Sequence, residues 1–160
     1  MKKILILMLL ATFTAATHAQ AVFTEIKEMA QKQLNDPNTS AIVKETSRFK
    51  IDALNYLGMK MKEVMPDSSA AYLDEQAYAL YSFTNLYTKS MNYHRSAPQK
   101  EQLANIKLFI DASLSCPLFR DKDDEEYVLI YFKNPESPTR FSLDTNWIHA
   151  YLLVAEKFKK

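Results

Sequence analysis

Glycine is almost missing from this chain: Gly58 is the only one in 160 residues. Phosphate-cradling loops, dinucleotide fingerprints and nucleophile elbows need glycine where the backbone takes positive φ or approaches a ligand closely. Those classes are excluded, and a β-rich domain with many tight turns is disfavoured for the same reason. Cysteine is equally scarce. With Cys116 alone, no intramolecular disulfide can form, and the residue reads as a small buried hydrophobe, with an exposed thiol pairing between chains as the alternative. Three histidines are too few for a His-based metal cluster, and none belongs to an HExxH arrangement. No metal-ligand set, cofactor motif or catalytic constellation follows from these counts.

Charge of one sign is lacking too. The net charge is +1, and removal of Lys2 and Lys3 would make it −1, so nothing points to nucleic acid or an anionic membrane as a partner. Long apolar runs are limited to Ile4–Leu10, which falls far short of the ~20 residues needed to cross a bilayer. Two lysines before that run and small residues after it have the pattern of a secretory signal peptide. Residues 1–21 are therefore set apart as a leader, with cleavage after Ala19 or Ala21. The expected destination is the periplasm or the medium, with no membrane span. Residues 22–160 are one domain of ordinary size.

What is present is helical periodicity. Between Asp67 and Tyr93, Leu73, Ala77, Leu80, Thr84, Tyr87 and Met91 fall on one stripe at ~100° per residue, and Gln76 and Phe83 extend it. An apolar arc wider than one neighbour requires places this helix in the middle of the fold. Val22–Leu34 reads as a first amphipathic helix. Ala41–Met65 reads as a long second one with Gly58 inside it, which permits a kink or a close crossing. A strand over Arg48–Tyr56 is the alternative there, since Phe49, Ile51 and Ala53 alternate. Ser96-Ala97-Pro98-Gln99 has the form of a capping box opening a helix to Ser115. Five acids between Asp121 and Glu126 suit the start of another, running to Phe132. Asp144 reads as the N-cap of a last helix carrying Trp147, Tyr151, Ala155 and Phe158 on one face. The expectation is an all-α single compact domain of about six helices, bundle-like or orthogonal.

Several residues invite a chemical reading. Asp121–Glu126 begins like a calcium loop, but Glu126 stands where the turn needs glycine and Phe132 where a bidentate Glu is needed. Cys116 and His149 lack any local support as nucleophile and base. Tyr78 and Tyr81 point away from the main stripe of the central helix and are candidate interface anchors, since tyrosine buries area while its hydroxyl stays wet. Arg140, Asp144 and Trp147 form a second candidate patch, able to hold a polar or anionic ligand.

The runs Phe49–Tyr56, Asp74–Tyr78, Asn134-Pro135 and Phe141–Trp147 resemble a family of small exported proteins of unknown function from Gram-negative bacteria. The resemblance implies a helical fold and export, and carries no activity or site residues. The functional expectation is a non-enzymatic binding or protein-interaction module, its partner another protein docking on Tyr78 and Tyr81 or on Arg140–Trp147. A carrier with an apolar pocket between helices, lined by methionines and aromatics, is the alternative. A hydrolase using unidentified acids is a third.

Overall fold

A computed structural model describes residues 21–68 and 70–158. Residues 1–20 of the expected leader 1–21 lie outside the described residues, as do the terminal lysines at 159 and 160; Ala21, its last residue, opens the first helix. Five helices of more than two turns make up the body: α1 (Ala21–Asn35), α2 (Ala41–Val64), α3 (Ala70–Tyr93), α4 (Gln99–Leu114) and α7 (Trp147–Phe158). Two single-turn helices, α5 (Glu125–Val128) and α6 (Ile130–Lys133), lie between α4 and α7, and a 3-10 turn over His94–Ser96 joins α3 to α4. The fold is a single all-α domain with no strand among the described residues. The alternating run Arg48–Tyr56 is helical, because Phe49, Ala53, Leu54, Tyr56 and Leu57 bury together at helical spacing.

Helix α3 is the central element and touches α1, α2, α4 and α7. Its buried set is Leu73, Gln76, Ala77, Ala79, Leu80, Phe83, Thr84, Tyr87 and Ser90, an arc wide enough for several neighbours. Buried polar members are satisfied locally. The Thr84 hydroxyl donates to the Leu80 carbonyl at 2.9 Å, and Ser90 donates to Asn105 Oδ1 on α4 at 2.5 Å. Around this helix the core is aromatic. Phe83 meets Phe109, Phe141 and Trp147 at 5.2–5.4 Å between centroids, and Phe49 meets Phe141 and Trp147 at 5.4 and 5.7 Å, all edge-to-face. Gly58 admits a close approach: a Cβ there would lie 3.3 Å from the ring of Phe23, so α1 seats against α2.

Two local expectations give way. The capping box at Ser96 does not form, because Ser96 closes the 3-10 turn and Pro98 occupies the N-cap position of α4 without a side-chain bond. Gln102 reaches back to the Ala97 carbonyl at 2.8 Å instead. The expected helix Asp121–Phe132 is broken at Leu129. The Val128 carbonyl, which would accept from Phe132 in a continuous helix, accepts the Leu143 amide at 2.9 Å.

Candidate functional site

The two expected patches meet different fates. Trp147 has no exposed surface, and its indole N–H is buried without a hydrogen-bond partner among the described residues. Asp144 is buried as well, and it is not the cap of α7. Its Oδ1 accepts the amides of Leu118 and Phe119 at 3.1 and 2.8 Å, and Oδ2 accepts that of Asp121 at 3.0 Å. Arg120, at φ 56°, gives this loop its left-handed residue. The cap is Asn146, whose Oδ1 accepts the His149 amide at 3.2 Å. Gln76 of α3 secures the same end: Oε1 accepts the Trp147 amide at 2.8 Å while Nε2 donates to Asn146 Oδ1 at 3.1 Å and to the Tyr72 hydroxyl at 2.9 Å. Arg140 donates to the Phe132 carbonyl at 3.0 Å and lies 5.2 Å over that ring. These residues hold the end of the fold together. Trp147 offers no surface to a partner, and Asp144, 5% exposed, shows only an edge in the open groove beside Pro117 and Lys122.

Tyr78 and Tyr81 are brought together on the outer face of α3. Tyr78 is 61% exposed, and the two ring centroids lie 6.4 Å apart. Tyr81 is half-buried, and Lys50 of α2 sits over it with Nζ 5.6 Å from the ring centroid. Lys50 is 3% exposed. Its ammonium donates to Gln33 Oε1 of α1 at 3.3 Å, an oxygen that also accepts from Ser47 at 2.9 Å. No carboxylate among the described residues lies within ion-pair distance of it. Burial pulls the Lys50 pKa down to about 8, since desolvation disfavours the charged form.

Beside Tyr81 a groove of about 330 Å³ opens where α1, α2 and α3 meet, lined by Gln33, Thr46, Lys50, Asn85, Lys89 and Asn92 among others. Thr46 and Thr88, also in its wall, donate their hydroxyl protons to the carbonyls of Ile42 and Thr84 at 2.9 Å. Lys89, Asn85 and Asn92 are exposed. The wall thus carries two lysines, three amides and no acid. Positions 78, 81, 85, 88 and 92 recur at helical spacing, so tyrosine pair and groove form one continuous strip.

Lys60, the other buried lysine among the described residues, is already matched. Lys60 pairs with Asp121 at 2.8 Å, Glu63 at 3.4 Å and Asp124 at 3.5 Å, and Tyr56 donates to Asp121 at 3.2 Å. The Lys60 hydrogen bond holds the Asp121 carboxyl below the usual carboxylate range, opposite to the raised pKa of a general acid. An open groove of about 680 Å³ between α2 and the α5–α6 segment is lined by Glu45, Arg48, Asp52, Tyr127 and Tyr131. Within it Arg48 pairs with Glu45 at 2.7 Å, and the Tyr131 hydroxyl donates to Asp52. Cys116 is half-buried, and its sulfur hydrogen-bonds Ser115 Oγ at 3.8 Å, with no bond to His149. Among the described residues no group of three or more His, Cys, Asp or Glu side chains is placed to hold a metal ion. No helix among them is long and apolar enough to cross a membrane.

No protein-family model matches the chain, and neither a curated protein nor a solved structure matches it.

Sequence reading passed over Lys50. A signal was there, since Lys50 falls four residues before Leu54 and seven before Leu57, on the stripe that buries. A lysine on a buried stripe snorkels or is held inside, and only the position of Gln33 on α1 and Tyr81 on α3 decides which.

Proposed function

We propose that the protein is an exported, non-enzymatic binding module that recognises another protein through the outer face of α3. Export is read from Lys2, Lys3 and the short apolar run behind them. The observation that carries the docking surface is Tyr78: a large ring 61% exposed beside a second tyrosine, on a helix whose opposite face is wholly buried. Tyrosine in that setting contributes contact area at low entropic cost and keeps its hydroxyl solvated. Its neighbours present amides and lysines, the mixed rim such an anchor needs. The apolar-carrier alternative requires hollow space between helices. The centre of the fold is instead filled by Phe49, Phe83, Tyr87, Phe109, Phe141 and Trp147.

The test is site-specific photo-crosslinking in the cells of origin. A photoreactive residue at position 78 is expected to yield one discrete protein adduct, and the same residue at Leu103, exposed on α4, none. Equal labelling from both positions, or no adduct from position 78, would overturn the proposal.

A further inference from the structure

Lys50 is an anomaly, since the other enclosed cation among the described residues is matched. Lys60, buried to a similar degree, has three carboxylates around it, whereas Lys50 has one amide oxygen and one ring face. A buried cation without a counter-charge is unfavourable, and folds that keep one have a use for it. An ammonium has three donors, and Gln33 takes one of them at a long 3.3 Å. The groove whose floor includes Lys50 also carries Lys89 and no acidic side chain. At about 330 Å³ it lies at the small end of ligand-site volumes, a space for a side chain or two and not for a cofactor.

We infer that this groove seats an acidic side chain of the protein partner, its aspartate or glutamate carboxylate pairing with Lys50 and Lys89 while the flanking residues lie against Tyr78 and Tyr81. The inference rests on the docking surface proposed above and names the chemistry it selects. The carboxylate supplies the missing counter-charge in a partly desolvated site, where a charge-assisted hydrogen bond is strongest. Gln33 Nε2, Asn85 and Asn92 offer further N–H donors at the same opening. The lowered Lys50 pKa agrees with an ammonium that lacks a partner in the free protein, and occupation of the groove would raise it.

The test uses pools of capped ten-residue peptides with randomised flanks and a fixed central Glu, Gln or Lys, retained on the immobilised full chain. The Glu pool is expected to be retained over both others on the native protein. Lys50→Met, which keeps the side-chain length and removes the charge, is expected to weaken that preference at least about tenfold. Lys89→Met, at the exposed rim, is expected to weaken it by roughly twofold to fivefold. Equal retention of Glu and Gln pools, or an undiminished Glu preference on Lys50→Met, would overturn the inference. Crosslinking from position 78 in the native background separates the two failures. A persistent adduct without Glu preference removes the acidic partner and leaves the docking surface, whereas loss of the adduct in the native background removes the surface itself.

Discussion

Lys50→Met is expected to make the protein more stable at neutral pH while removing its preference for an acidic ligand. Lys50 is 3% exposed, and burial takes its pKa from 10.5 to about 8. At ~1.4 kcal/mol per unit this is about 3 kcal/mol of unfavourable differential solvation below pH 8. Methionine loses the bond to Gln33 and the contact with Tyr81, together worth ~1 kcal/mol, so a net gain of about 2 kcal/mol remains. The pH dependence identifies the cause. Between pH 8 and 10.5 the folded native protein has released the Lys50 proton and the unfolded chain still holds it. The unfolded state then binds more protons, and native stability rises with pH. The advantage of Lys50→Met is therefore full below pH 8 and shrinks as pH rises toward 10.5. Urea unfolding of both proteins, followed by the fluorescence of Trp147, the only tryptophan and fully buried, measures the difference. Titrations of other groups largely cancel between the two. A variant less stable than the native chain at pH 7, or a gap that stays constant to pH 10, would refute the reasoning.

Three further outcomes follow from the packing. Gln76→Leu leaves the buried amide of Trp147 without its acceptor and is expected to cost ~2–3 kcal/mol in the same unfolding assay, whereas an effect under ~0.5 kcal/mol would show that water serves equally well. Asp144→Ala orphans three loop amides and is expected to lower stability by ~3 kcal/mol or more, while retention of the Glu-centred peptide pool is unchanged under conditions where the variant is folded. Asp121→Asn removes a carboxylate held down by Lys60. Such a group stabilises above its ordinary pKa of 3.8 and ceases to do so as pH falls through its lower folded value. The variant is thus expected to be less stable at pH 7 and to lose stability less steeply below pH ~4, as read by acid unfolding.

The helical body was legible because burial and periodicity coincide on single helices. Leu73, Leu80, Phe83 and Tyr87 mark the inner face of α3 in any sequence reading, and Gln76 and Thr84 were placed on that face by spacing alone. What escaped depends on partners distant in the chain. Asp144 has the form of a cap, yet its oxygens are claimed by the amides of a loop more than twenty residues earlier, and Asn146 does the capping. The acid-rich start at Asp121 suits a helix, but Asp121 is drawn to Lys60 and Tyr56, and Leu143 breaks the helical ladder at Val128. The site divides the same way. An outward Tyr78 is a statement about one helix, whereas an unpaired Lys50 is a statement about α1, α2 and α3 together.

The most direct test is NMR of the Lys50 side chain, its 13Cε shift followed against pH in the free protein and again with a saturating Glu-centred peptide from the retained pool. The account expects an apparent pKa of about 8 in the free protein and a clear upward move when the carboxylate is bound. A free value near 10.5, or a bound value equal to the free one, would contradict it.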